Sequence, residues 1–76
     1  MKTKTKFNIG DRLYPIRYFN DEKKFCREKD FIVEAININK NRQIQYFDGW
    51  FYYIEENCFA TKEQAQAECD KRNKGE

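Results

Sequence analysis

The stretch Tyr46–Phe59, "YFDGWFYYIEENCF", decides the fold, and seven of its fourteen side chains are aromatic. At its centre Asp48-Gly49 is the strongest short hairpin signal in the chain, because a tight turn needs residues that tolerate positive φ. "RQIQYF" (Arg42–Phe47) alternates polar and apolar residues before it, and "WFYYIEE" (Trp50–Glu56) returns after it. Two closures are open. A two-residue turn pairs Phe47 with Trp50, Gln45 with Tyr52 and Gln43 with Ile54, and puts Ile44, Tyr46, Phe51 and Tyr53 on the opposite face. A three-residue loop with Gly49 in a bulge pairs Tyr46 with Trp50 and Ile44 with Tyr52, and gathers Ile44, Tyr46, Trp50, Tyr52 and Ile54 on one face. One residue of slip exchanges the faces. Either register gives one almost wholly apolar face, which is core, and leaves at least two aromatics beside Gln43 and Gln45. Those surplus aromatics suit a protein contact or the stacking of bases, unless another part of the chain covers them.

Outward from the hairpin, "FIVEAINI" (Phe31–Ile38) is a β-branched strand and "NKN" (Asn39–Asn41) a turn. Further back, Phe7 and Ile9 alternate, Gly10-Asp11 turns the chain, and Leu13–Tyr18 reads as a strand. Pro15 cannot donate to a ladder, so that strand is expected at an edge or irregular near Pro15. "NDEKKFCREKD" (Asn20–Asp30) reads as a long charged loop anchored by Phe25 and Cys26, and loops of this length are often functional. Beyond the hairpin the pattern changes. "ATKEQAQAECDKRNKG" (Ala60–Gly75) has no aromatic residue, and Thr61 with Gln64 forms a capping-box pattern. Ala65, Cys69 and Arg72 fall at helical spacing on one face, and Gly75 suits the exit. A helix of about twelve residues is too short to be stable alone, so it must dock on the sheet.

The chain of 76 residues is one domain at most, with a thin core. Residues 1–42 carry eleven Lys/Arg against six Asp/Glu, and residues 43–76 carry four against seven, which gives +5 and −3. This asymmetry marks either a basic face or charges that mix on folding. The three cysteines, Cys26, Cys58 and Cys69, form no Cys-x-x-Cys pair, and there is no histidine. No zinc site, metal or cofactor is therefore expected. The odd cysteine count and the lack of a signal-peptide pattern point to the cytoplasm, and no segment approaches membrane-span length.

Catalytic chemistry is poorly provided for. Glu55 and Glu56 are adjacent, so on a strand they point to opposite faces. The chain contains no serine, and neither Cys58 nor Cys69 sits where a thiolate would be activated. The expectation is a chain that is not an enzyme. Basic residues interleave with aromatics once, in "DRLYPIRYF" (Asp11–Phe19). With the N-terminal lysines this gives a nucleic-acid strip of Lys2, Lys4, Lys6, Arg12 and Arg17.

Two segments resemble a known group. "FNIGDRLYPI" (Phe7–Ile16) is similar to the "F-x-x-G-D-x-V-Y" opening of small Src-homology-3-like barrels. "NCFATKEQAQAEC" (Asn57–Cys69) resembles the closing "x-F-A-T-K-E-E-A" segment of short proteins of bacteriophages and mobile elements of Gram-positive bacteria. The departures are Pro15 inside the first strand and Gln64 in place of a glutamate. The resemblance implies a phage or prophage origin, and some small phage proteins of this size inhibit host defence systems, CRISPR effectors among them.

The resulting expectation is a single α+β domain over residues 1–76. Residues 1–6 form a flexible basic arm. Residues 7–59 form an antiparallel Src-homology-3-like half-barrel of four to five strands. Residues 61–73 form one C-terminal helix. The expected function is a binding module that contacts a host or phage protein through Phe47, Trp50, Tyr52, Lys23, Lys24 and Arg27. The alternative is a nucleic-acid-binding barrel using the basic strip. A monomer is expected, with a two-fold homodimer as the alternative.

Overall fold

The computed structural model describes residues 5–75, so Lys2 and Lys4 lie outside the described residues. The chain runs through β1 (Arg12–Phe19), β2 (Lys24–Arg27), β3 (Phe31–Ile32), β4 (Ala35–Ile38), β5 (Ile44–Phe47) and β6 (Tyr52–Ile54). A 3-10 turn, Glu55–Asn57, leads into β7 (Cys58–Phe59), and α1 (Lys62–Asn73) closes the chain. β1 pairs antiparallel with β2, β3 and β7, and β4, β5 and β6 form a second antiparallel sheet. The class is α+β, two small antiparallel sheets with a C-terminal helix, consistent with an Src-homology-3-like half-barrel.

The strands are shorter and more numerous than expected. The segment read as one strand, Phe31–Ile38, is interrupted at Val33-Glu34, where Glu34 N donates to Phe47 O at 2.8 Å and the chain passes from one sheet to the other. The segment read as a charged loop, Asn20–Asp30, contains β2. Cys26 and Phe25 pair there with Arg17 and Tyr18, and Lys23 takes a left-handed conformation (φ 54°) to close the turn. Pro15 is not at an edge, since β1 is paired with three strands, but β1 is irregular at this point. Between the pairs Ile16–Arg27 and Leu13–Phe31 the returning chain gains one residue. That bulge places Glu28 N on Pro15 O at 2.8 Å and asks for no proline donor.

The period-two alternation of β1 feeds two small cores. Leu13 faces the space between the sheets, where it is buried with Phe31, Val33, Ile44, Tyr46 and Cys58. Ile16 faces the other way and is buried against Ala65 and Cys69 of α1, with Tyr14, Phe25 and Phe59 around them. The helix lies close because its contact residues are small. Thr61 Oγ1 accepts from Gln64 N at 3.1 Å. Arg72, third on the same stripe, bonds Glu68 Oε2 at 2.8 Å and Asn57 Oδ1 at 2.9 Å, with its guanidinium 5.0 Å from the Phe25 ring centroid. Asn73 closes the outer edge of β2. Its side-chain amide accepts from Phe25 N at 2.7 Å and donates to Phe25 O at 3.0 Å, as a neighbouring strand would.

This packing makes a prediction for the thiols. Cys58 and Cys69 are buried and Cys26 is half-buried. Burial, helped by the nearby Glu55 charge, pushes the Cys58 thiol up to about 12, and burial also raises that of Cys69. In mildly alkaline buffer a maleimide or disulfide reagent should modify Cys26 first, and the other two only on unfolding. Mass spectrometry of the labelled native protein checks this. Modification of Cys58 as fast as Cys26 would contradict the packing of the inter-sheet core.

Candidate docking surface

The β5–β6 hairpin closes in neither of the two registers expected. Its pairs are Gln45–Ile54, Tyr46–Tyr53 and Phe47–Tyr52, so the loop is four residues long, Asp48–Phe51. The cause is the Asp48 side chain. Its Oδ1 accepts from both Trp50 N and Phe51 N at 2.7 Å, and Asp48 N donates to Phe51 O at 3.2 Å. Tyr53 Oη donates to Asp48 Oδ2 at 3.3 Å. Burial opposes ionisation of this carboxyl, but those donors outweigh it and hold it below its ordinary value. Gly49 supplies the left-handed residue (φ 100°) and lies against the Glu34 carboxylate.

The observed register differs by two residues from the two-residue turn, and a shift of two preserves the faces. Ile44, Tyr46 and Tyr53 therefore point inward, and Tyr53 stacks on Phe31 at 4.5 Å. Gln45, Phe47, Tyr52 and Ile54 point outward. Phe51, expected inside by that reading, leaves the ladder and joins the loop. Phe47 and Tyr52 stack across the outer face at 4.7 Å, and Asn37 Nδ2 donates to Gln45 Oε1 at 3.0 Å beside them. The helix packs against β1, β2 and β7, so among the described residues it does not cover this face. Trp50 is 84% exposed, Phe51 67% and Tyr52 56%. The opening aromatics thus divide: Tyr46, Tyr53 and Phe59 pack in cores, while Trp50, Phe51 and Tyr52 stand in solvent with Phe47 at their base.

A groove of about 330 Å³ runs beside this hairpin. One wall is Phe51, Tyr52 and Ile54, and the other is Ile16, Arg17 and Glu28. Arg17 Nε pairs with Glu28 Oε1 at 3.0 Å and its guanidinium lies over the Phe19 ring. Sequence reasoning did not place Ile16, Glu28 or Ile54 at a site. Their convergence is tertiary, with no local signal.

A hydrogen-bond cluster fixes the hairpin from below. Tyr46 Oη donates to Glu55 Oε2 at 2.5 Å and accepts from Phe7 N at 3.3 Å, and Lys6 N donates to the same Glu55 oxygen at 2.9 Å. Lys6, assigned to the flexible arm, is therefore tied to the body through its backbone. Burial, then the Glu55 carboxylate, raises the Tyr46 phenol. Burial, then the Asp48 and Glu28 charges, lifts Tyr53 to about 12 from 10.0. The folded state holds these protons, and that of Cys58, more tightly than the unfolded chain. Stability should be unaffected by these groups below about pH 9 and should fall as pH rises from about 9 to about 12. Thermal midpoints across that range check the sign, with a shallower fall expected for Tyr53→Phe. A midpoint that rises above pH 10 would contradict it.

The other expected contact residues lie elsewhere. Lys24 and Arg27 line a second groove with Gln66, Asp70 and Asn73 along the seam of β2 and α1. Arg27 Nε donates to Gln66 Oε1 at 2.8 Å, and Lys24 Nζ approaches Glu22 Oε1 at 3.8 Å. Lys23 is exposed in the β1–β2 turn. None of these three lines the aromatic groove. In the basic strip, Arg12 pairs with Asp30, whose carboxyl is lowered by that hydrogen bond, and Arg17 is paired with Glu28. Among the described residues no helix is long and apolar enough to cross a membrane. Compared with known proteins, the chain matches no family model, no curated protein and no solved structure.

Proposed function

We propose that this chain is a non-enzymatic binding module that docks a protein partner through the apex and outer face of the β5–β6 hairpin. One observation carries the reading. Three large aromatic side chains stand in solvent, Trp50 and Phe51 on a loop held in shape by the Asp48 carboxylate and Tyr52 at the start of β6. Clustered exposed aromatics on an ordered support are what interface centres are made of, and Trp and Tyr are the commonest anchors there. The resemblance to short phage and mobile-element proteins makes a host or phage protein in the bacterial cytoplasm the class of partner, a host defence effector among the candidates. The module acts as a monomer.

The test is capture from a bacterial lysate with the wild-type chain and a Trp50→Ala variant. The wild type should retain a discrete protein that the variant loses. Equal capture by both, or none by either, would remove this surface as the site.

Less supports nucleic-acid binding, because Arg12 and Arg17 each already face a carboxylate. Contact with about four phosphates would give a salt slope of about −3 to −4 on duplex DNA. No binding at low salt would exclude it.

A further inference from the structure

We infer that the docking surface recognises its partner by strand addition: an extended segment of the partner chain enters the groove beside β6 and hydrogen-bonds to the outer edge of that strand. The inference rests on the protein-docking reading and names its mode.

The direction of the backbone groups follows from the register. In an antiparallel ladder the hydrogen-bonding groups of successive residues point alternately to the two sides. Phe47 O accepts from Glu34 N, and Gln43 O from Asn39 N, so the odd-numbered residues of β5 face β4. Tyr46 and Asp48 then face β6, as Asp48 N on Phe51 O shows. Tyr46 is thus bonded to Tyr53, and the N–H and C=O groups of Tyr52 and the N–H of Ile54 point away from β5, while the Ile54 carbonyl caps the 3-10 turn that follows. Among the described residues β6 pairs with no other strand. These groups open on the aromatic groove, one of whose walls is Tyr52 and Ile54 themselves. The opposite wall is closed where β6 is open: Pro15 O and Phe19 O accept from the β2 side, and the antiparallel Pro15–Cys58 pair engages the Ile16 N–H with Asn57, at the end of the groove.

The contrast with β2 points the same way. That edge is closed by Asn73, whose amide occupies both backbone groups of Phe25. An open edge beside an apolar groove is a template for an extended chain. The groove also selects the occupant. A volume of about 330 Å³ between two walls admits a few residues of extended chain. It does not admit the hairpin of a folded second copy. The charge preference follows from the ion pair on the far wall: the Arg17 side chain is 64% exposed and that of Glu28 16%. The guanidinium is therefore the accessible partner, and a carboxylate on the incoming segment complements it. The occupant is an extended, proline-free polypeptide stretch with apolar residues at alternate positions and an acidic residue near Arg17.

The probe is a short capped synthetic peptide alternating valine and threonine, with one central glutamate, added to the full-length chain. In the free protein the Tyr52 and Ile54 amides should exchange with deuterium much faster than the Tyr53 amide. About 1 mM peptide should slow those two amides by roughly tenfold or more. N-methylating alternate peptide amides, in each of the two frames, should weaken binding by about tenfold in the frame that faces β6, whereas reordering valine and threonine should change it only a few-fold. Glutamate to glutamine in the peptide should weaken binding to the wild type but not to Arg17→Gln. Three results would overturn strand addition: no slowing at Tyr52 and Ile54, equal binding of both N-methylated peptides, or protection of the same amides in a self-associated dimer without peptide. A captured partner that depends on Trp50 but is not displaced by the peptide would overturn it too, while leaving the docking surface standing.

Discussion

A Tyr46→Ala variant should be largely unfolded at room temperature. Tyr46 is fully buried at the centre of the inter-sheet core, with the Phe7 ring edge-on at 5.6 Å. Removing a buried aromatic side chain costs about 3–5 kcal/mol. A chain of this length has a total stability of roughly 4–11 kcal/mol, and its small core places it toward the lower end. The hydroxyl adds a second loss, because Glu55 Oε2 and Phe7 N both bond it. Tyr46→Phe, which keeps the ring, should cost about 1–2 kcal/mol. Urea unfolding followed by circular dichroism measures both. A Tyr46→Ala midpoint close to wild type would mean that the core does not close over this residue.

The opposite pattern is expected at the hairpin apex. Trp50→Ala combined with Phe51→Ala should leave the unfolding free energy within about 0.5 kcal/mol of wild type, as for surface substitutions generally. The same pair should lower affinity for the captured partner by about 2–4 kcal/mol, or roughly 30- to 1,000-fold. Their exposure in the unbound chain is the reason for both expectations. A loss of stability above about 1 kcal/mol would show that these rings belong to the core.

The helix was the most legible part of the sequence, because its signals are local. Thr61 caps it, Ala65 and Cys69 are its buried stripe, and Arg72 continues that stripe, all as their spacing indicates. The hairpin was legible as a hairpin but not in register. Propensity at Asp48-Gly49 argues from backbone φ, whereas the loop length is set by one side chain accepting two amides, at Trp50 and Phe51. Because the resulting shift is two residues, the inward and outward sets of the two-residue reading survived it, except for Phe51. β2 was hidden because its alternating residues are embedded in charges, and its partner is the chain just before it. The closure of β2 by Asn73 and the convergence of Arg17 and Glu28 on the aromatic groove join residues far apart in sequence. No window of the sequence contains that information. The surplus aromatics were visible in composition, and only the placement of α1 on the opposite sheet decides that they stay uncovered.

The most direct test uses Trp50 as its own reporter, since it is the single tryptophan of the chain. Biosynthetic incorporation of fluorotryptophan places one fluorine at the hairpin apex, and fluorine NMR observes it with and without the captured partner. In the free protein the resonance should lie near that of a solvent-exposed indole and show a solvent isotope shift. On binding it should move, broaden and lose that isotope shift, because the indole leaves water. A resonance that keeps its free position and its isotope shift while the partner is demonstrably bound would contradict the docking surface.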